Sequence, residues 1–171
     1  LETIFQFEGG IWMKNYEINA DTLALIPIND NTVKVYEEDE EFLVNKNVNQ
    51  IMEDSCKYFG SSLEGRKKGT EAMIGLNYKA PIIVEETNEL IFFPMNSSRY
   101  HDTPWISLKH IKKYYKSDEG IVIEFLNDKK IILNISFGIL DNQVLRATRL
   151  ESALRGRKIR KNRLKKQETM L

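Results

Sequence analysis

The feature that most constrains the fold is a series of short apolar or alternating segments separated by a few turn residues. Five such segments lie at 22–28, 32–37, 41–45, 80–84 and 90–93, and three more lie at 105–115, 121–126 and 129–136. Alternation with a period of two, and connections of hairpin length, are typical of antiparallel strands. The sequence therefore predicts a mainly antiparallel sheet.

One inserted helix is predicted near 47–59. Apolar residues recur there every three or four positions, Asn47 is a suitable N-cap, and Gly60 follows the last apolar residue. A closing helix is predicted near 139–155, after Ser136 or Asp141 as cap. We therefore expect a single α+β domain with a curved sheet, in the specific form of a pleckstrin-homology-like barrel.

The domain is expected to span 13–154. Met13 is a candidate start, so residues 1–12 are interpreted as a leader or a cloning remnant. Residues 155–171 lack apolar periodicity, and we predict a basic, flexible tail that orders only on binding. The longest apolar runs are far shorter than the roughly 20 residues that cross a bilayer, and a single cysteine excludes an internal disulfide. We expect a cytoplasmic protein with no membrane partner.

The formal net charge of zero hides a strong segregation of charge along the chain. Residues 1–44 carry ten acidic residues against two lysines, a net charge of −8. Residues 145–166 carry ten basic residues against one glutamate, a net charge of +9. This asymmetry favours a polyanionic partner for the basic end, although a dense basic run is also compatible with a merely solvated helix end or tail.

A glycine-rich stretch at 58–70, YFGSSLEGRKKGT, is predicted to be a loop that holds a phosphate. The pattern of a nucleotide-binding loop fails here, because Arg66 and Lys67 follow Gly65 where lysine and a hydroxyl residue are required. Such a loop also opens a helix, whereas this one follows a helix. Duplex phosphates contacted by Arg66, Lys67 and Lys68 are the better interpretation, and a plain turn with solvated cations is the alternative.

No pattern predicts an enzyme, a cofactor or a metal site. His101 and His110 stand nine positions apart without an H-x-x-x-H partner. The serines at 61, 62, 97 and 98 lack the glycine pattern of a nucleophile elbow. Two non-enzymatic classes remain: a DNA-binding protein, or a scaffold module whose basic surface binds acidic protein or membrane.

The chain contains five ordered blocks: YFGSSLEGRKKGT at 58–70, KAPIIVEETNELIFFP at 79–94, SSR at 97–99, WIS at 105–107 and ISFGILDNQVLRATRLESAL at 135–154. Together these blocks resemble the ComK family of competence transcription factors of Gram-positive bacteria. The resemblance implies a cytoplasmic, nucleoid-associated activator of DNA-uptake genes. It also implies dimers that assemble into a tetramer on paired AT-rich boxes and bend double-stranded DNA through the minor groove.

A further partner follows from the resemblance, and another from the charge of the amino-terminal strands. The family's carboxyl-terminal segment delivers the protein to a Clp-type protease through an adaptor, but KKQETML resembles only the start of that segment. The acidic amino-terminal strands either keep that face off DNA or contact RNA polymerase.

Local chemistry selects the candidate DNA-binding residues. The minor groove of AT tracts is narrow and strongly negative, so it attracts arginine, and it distinguishes A·T from G·C pairs. Loop cations, helix arginines and two amides with groove-reading chemistry give the candidate set: Arg66, Lys67, Lys68, Arg99, Asn142, Gln143, Arg146, Arg149, Arg157 and Arg160. A spacing of 11 residues places Arg146 with Arg157, and Arg149 with Arg160, on the same side of a helix.

Overall fold

A computed structural model describes residues 5–7, 10–96 and 102–170, with the backbone alone described for 5–7. The elements in chain order are β1 (Phe5–Phe7), β2 (Gly10–Met13), β3 (Thr22–Asn29), β4 (Thr32–Glu37), β5 (Glu41–Val44), α1 (Val48–Tyr58), α2 (Leu63–Ile74), β6 (Ile82–Glu85), β7 (Leu90–Pro94), β8 (Trp105–Ser107), β9 (Ile111–Ser117), β10 (Gly120–Phe125), β11 (Lys130–Leu133) and α3 (Phe137–Thr169). The predicted α+β class is confirmed.

Two sheets are present in the described chain. The larger has eight strands in the order β1-β2-β5-β4-β3-β8-β7-β6 and is antiparallel except for the β2–β5 pair. The smaller has the order β11-β10-β9 and is the predicted meander. Over the described strands the large sheet is open, so the pleckstrin-homology-like barrel is wrong. Its edge strand β6 packs against α2 and does not pair with β1.

The predicted strand 105–115 is two strands in two sheets. A 3-10 turn, Leu108–His110, separates β8 in the large sheet from β9 in the small one. Ser107 and His110 hold this turn, because the Ser107 hydroxyl lies 2.7 Å from His110 Nδ1 in the protein interior. The chain therefore leaves one sheet and enters the other, and the predicted alternation of faces stops at the turn.

Apolar side chains cover both faces of the large sheet. On one face α1 packs against the strands through a cluster that includes Val48, Ile51, Met52 and Phe92. On the other face the small sheet and α3 pack through a second cluster that includes Phe93, Ile123, Leu140 and Leu150. The adjacent residues Phe92 and Phe93 of β7 belong to different clusters, as expected for a strand buried on both faces. Burying each such side chain contributes about 1.5–3 kcal/mol.

Helix α1 begins and ends as predicted. Asn47 accepts a hydrogen bond from the Gln50 backbone N–H at 2.9 Å, and the Gln50 side chain accepts one from the Asn47 backbone N–H at 3.0 Å. This reciprocal pair is a capping box. Gly60 adopts a φ of +79° just after the helix, a conformation that glycine takes at little cost.

Helix α2 replaces most of the predicted glycine-rich loop, so that prediction is wrong. Ser62 caps α2 by accepting a hydrogen bond from the Gly65 N–H at 2.9 Å, and Gly65 and Gly69 lie within the helix. Tertiary contacts hold it: Leu63 is buried, and the Thr70 hydroxyl donates to the Pro81 carbonyl at 2.6 Å. The apolar residues of α2 are too few to produce a helical pattern in the sequence.

Helix α3 starts at the predicted cap Ser136 and continues to Thr169, through the segment predicted to be a flexible tail. Residues 155–169 contain no proline, and arginine and lysine are good helix formers. Residues 159–170 are all exposed, so the last turns of α3 extend beyond the packed part of the domain. The predicted end near 155 is the end of packing and not the end of the helix.

At the amino-terminal side, β2 pairs in parallel with β5, so residues 10–13 belong to the large sheet. The assignment of 1–12 to a leader or remnant stays a prediction. Among the described helices, none combines the length and apolar composition that crossing a membrane requires.

Candidate nucleic-acid interface

The two basic segments of the sequence lie on neighbouring helices. Helix α2 packs against α3, and contacts at both ends give their relative direction. Near the start of α2, Arg66 approaches Glu86, whose carbonyl also binds Lys158 of α3. Beyond the end of α2, the Tyr78 carbonyl accepts a hydrogen bond from Arg146. The helices therefore run in opposite directions, with the start of α2 near Lys158 of α3 and its end near Arg146.

We call Arg149, Arg157 and Arg160 the basic ridge: they are the predicted DNA-binding arginines of α3 that are exposed. All three side chains are exposed, and within the described residues none forms a hydrogen bond or ion pair. Since α3 is continuous, Arg149 and Arg160 lie on one side of it, about 16 Å apart along the axis. These guanidinium groups are available to an external anion.

The cations of α2 differ in their exposure. Arg66 is mostly packed, with 19% of its side chain exposed and Nη1 lying 3.6 Å from Glu86 Oε1. Lys67 is half-buried, whereas Lys68 is exposed. Lys68 is therefore the exposed cation among the three, and one exposed lysine on α2 takes the place of the predicted phosphate loop.

Among the remaining α3 candidates, Arg146 is half-buried and its Nη1 donates to the Tyr78 carbonyl at 2.8 Å. Asn142 is exposed. Arg99 lies outside the described residues. Arg146 is thus already bonded to the backbone, and Asn142 remains accessible to a partner.

Gln143 contradicts its predicted role as a reader of base edges. Its side chain amide donates to the Lys79 carbonyl at 2.9 Å and to the Pro94 carbonyl at 2.6 Å, and only 2% of the residue is exposed. Gln143 lies on the buried stripe of α3 with Leu140 and Ala147. Its amide anchors the helix to the end of β7 and cannot reach DNA.

A short acidic segment faces the two helices, at the connection between β6 and β7. We call residues 85–89 the acidic turn, because Glu85, Glu86 and Glu89 lie in it. Arg155 donates two hydrogen bonds to the Glu89 carboxylate: Nε lies 3.0 Å from Oε1 and Nη2 lies 2.8 Å from Oε2. Hydrogen bonds from Arg155 lower the pKa of Glu89, so this carboxylate is ionised at neutral pH.

Three more cations approach the acidic turn from different elements. Lys158 donates to the Glu86 carbonyl at 2.9 Å, and Lys109 donates to the Asn88 carbonyl at 3.3 Å. Arg66 makes the 3.6 Å ion pair with Glu86 described above. Sequence reasoning missed Lys109, Arg155 and Lys158 as a group, because only the charge excess of the segment was visible and not the acidic turn that they share.

The small sheet carries a separate group of lysines around one carboxylate. Glu124 is 7% exposed and lies within ion-pair distance of Lys112, Lys113 and Lys130, at 3.4, 3.7 and 3.9 Å. Lys112 also contacts Asp128 at 2.9 Å. Since two carboxylates largely neutralise these lysines, they are weaker anion-binding candidates than the basic ridge.

One constellation superficially matches a hydrolytic triad. Ser107 Oγ lies 2.7 Å from His110 Nδ1, and His110 Nε2 lies 3.5 Å from a Glu38 carboxylate oxygen. Ser107 is fully buried, however, so no substrate carbonyl can reach its hydroxyl. The arrangement holds the turn between the sheets and does not form a catalytic site. In the described part of the chain, no group of three or more potential metal ligands comes together.

His110 predicts a specific dependence of stability on pH. Burial, with a smaller contribution from Lys109, lowers the pKa of His110 below 6.5 and outweighs the opposing effect of Glu38 and Asp21. The unfolded chain therefore binds this proton more readily, and the free energy of unfolding falls as the pH drops below about 6.5. His110→Gln should remove this component, because glutamine does not titrate.

Urea unfolding of both proteins at pH 7.5 and pH 5.5 measures the effect. The wild-type protein should lose more stability between the two pH values than the variant, while carboxylates contribute equally to both. An identical loss in the two proteins would show that His110 does not carry this dependence.

The chain is similar to a known protein family and to one curated protein. The model of one protein family, described as ComK protein, matches residues 13–159. A curated relative from Bacillus subtilis (strain 168), named competence transcription factor, is 36% identical over 163 residues, which cover 93% of this chain and 84% of the relative. No solved structure matches the chain with significance.

Proposed function

This chain belongs to the ComK family, and from that premise we propose that it activates transcription of competence genes by binding DNA. We further propose that the protein recognises paired AT-rich boxes through the minor groove. It acts in the cytoplasm on the nucleoid, as dimers that assemble into a tetramer on DNA. The acidic amino-terminal strands are its candidate surface for RNA polymerase.

The observation that carries the proposal is the basic ridge on a helix that extends beyond the domain. Arg149, Arg157 and Arg160 are exposed and have no carboxylate partner in the described chain. Arginine suits a narrow, negative AT-tract groove, because its planar guanidinium is always charged and is more weakly hydrated than an ammonium group. A helix that presents unpaired arginines is therefore compatible with groove entry or with phosphate contact.

The proposed contact residues fall into groups according to the exposure of their side chains. Arg149, Arg157 and Arg160 are the primary candidates, and Lys68 of α2 and Asn142 of α3 are further exposed candidates. Three further candidates require rearrangement or a small displacement, namely Arg66, Lys67 and Arg146. Arg99 remains a candidate from the sequence.

A salt titration with two duplexes tests the proposal. One duplex carries a run of A followed by a run of T, and the other has the same length and a GC-rich sequence. The protein should bind the AT duplex at least about 10-fold more tightly across the salt range, since specific readout adds to a shared phosphate term. Equal affinity for both duplexes would remove the proposed specificity. Binding to anionic vesicles without binding to either duplex would favour a scaffold function.

A further inference from the structure

We propose that the acidic turn is an internal phosphate mimic that suppresses sequence-independent DNA binding, with Glu86 and Glu89 as its specificity-determining residues. This inference rests on the proposed function, because it concerns cations of α2 and α3, the helices that carry most of the candidate contact residues. It adds residues that reduce binding to the wrong sequence, whereas the residues considered above promote binding.

The geometry of the turn supports this assignment. Four cations from three distant segments converge on residues 85–89: Arg66 from α2, Lys109 from the turn between the sheets, and Arg155 and Lys158 from α3. Arg155 meets Glu89 with the two-nitrogen geometry that arginine also uses for phosphate. The turn therefore occupies, within the protein, cations of the kind that a DNA backbone would otherwise contact.

These contacts are not required to hold the hairpin together. Leu90, Ile91 and Phe92 of β7 are buried in the two cores, so the β6–β7 hairpin is anchored independently of its turn. Glu86 is 60% exposed at its side chain, and Arg155 is also exposed. The long Arg66–Glu86 pair therefore contributes little to stability. The two-nitrogen Arg155–Glu89 pair is stronger, with Glu89 only 23% exposed, so a phosphate displaces it only by giving Arg155 equivalent hydrogen bonds.

Displacement of the turn makes binding selective. On a DNA sequence whose groove fits the basic ridge, the arginines of the ridge gain favourable contacts. These contacts offset both the loss of the contacts within the acidic turn and the repulsion between its carboxylates and the DNA phosphates. On a sequence that fits poorly, the same carboxylates repel the phosphates, and Glu89 competes with them for Arg155. The turn therefore weakens non-specific binding more than specific binding.

The test compares Glu86→Gln/Glu89→Gln with a control, Asp39→Asn/Glu40→Gln, that changes the net charge equally. Asp39 and Glu40 are exposed and, in the described residues, form no ion pair. The turn variant should bind the GC-rich duplex about 5- to 10-fold more tightly than the control does, with a salt slope steeper by about 1–2, as one or two additional phosphates are contacted. Affinity for the A-run/T-run duplex should change less, so the ratio between the duplexes falls.

A second polyanion separates this inference from the proposed function. The turn variant should elute from phosphocellulose at a higher salt concentration than the control, whether or not the wild-type protein distinguishes the two duplexes. If the wild-type protein binds both duplexes equally, the proposed function is overturned. The comparison of elution salt between the turn variant and the control still decides the role of the turn. Equal elution of variant and control, or weaker binding of both duplexes by the variant, would overturn the phosphate mimic.

The single variant Glu86→Gln guards against a folding defect. Its side chain is largely exposed, and its only described ion pair is the 3.6 Å contact with Arg66, so the melting temperature should not change. It should show about half of the double variant's increase in elution salt. No increase in this well-folded variant would also overturn the inference.

Discussion

Replacement of Arg149, Arg157 and Arg160 by glutamine is expected to weaken binding to an A-run/T-run duplex by about 100-fold at low salt. Each of these arginines is exposed and unpaired in the described chain, so each is available for a phosphate or groove contact. Loss of about 1 kcal/mol at each of three positions corresponds to a decrease of this size. The slope of log affinity against log salt should become shallower by about 2–3, because three phosphate contacts no longer release counterions.

A control variant with the same loss of charge distinguishes the ridge from a general charge effect. Three exposed lysines lie outside α2 and α3, namely Lys14 just after β2, Lys57 in α1 and Lys116 in β9, and their replacement by glutamine also removes three positive charges. This control should lose only several-fold in affinity. Fluorescence anisotropy over a salt series measures both variants. Equal losses in the two would mean that net charge, and not the basic ridge, governs binding.

Gln143→Leu is expected to reduce the free energy of unfolding by about 2–4 kcal/mol. The substitution removes both hydrogen bonds that the side chain donates to the Lys79 and Pro94 carbonyls, and leaves these acceptors without their partner in a poorly hydrated site. For a chain of this size the melting temperature should fall by about 5–12 °C. DNA affinity, measured well below that temperature, should remain close to wild type, since Gln143 does not reach the surface.

Asn142→Ala provides the matched control for this prediction. Asn142 is the preceding residue on α3, has the same amide chemistry and is exposed. Its replacement should change the free energy of unfolding by no more than about 0.5 kcal/mol. Thermal melts of both variants decide the result. A Gln143→Leu protein as stable as Asn142→Ala would show that the two carbonyls are satisfied without the glutamine.

Local elements were predictable because the residues that define them are close together in the sequence. The Asn47–Gln50 cap spans three residues and Gly60 directly follows the helix that it ends, so both ends of α1 were correct. The strands of the meander are joined by tight turns, and their pairing follows from hairpin geometry. The family resemblance, carried by ordered blocks of sequence, is confirmed by the family match.

For the candidate site, the sequence predicted the charge of the segment but not the arrangement of its side chains. The positive charge of residues 145–166 indicated a basic helix, and of the arginines repeated at a spacing of 11, Arg149, Arg157 and Arg160 are exposed whereas Arg146 is half-buried. The sequence of this segment did not show that α3 continues past residue 155. A run of arginine and lysine without apolar periodicity is compatible with a helix or with a disordered tail.

By itself, then, this sequence determined the secondary structure that short-range capping, alternation and turns encode, the sign of its surface charges and its family. Only the tertiary structure decided the open sheet, the splitting of residues 105–115 between two sheets, and the roles of individual polar side chains. Gln143 and Lys79 are 64 positions apart, and Arg155 and Glu89 are 66 apart. Whether an amide or a guanidinium group faces solvent or an internal partner depends on such long-range contacts, and these form only when the chain packs.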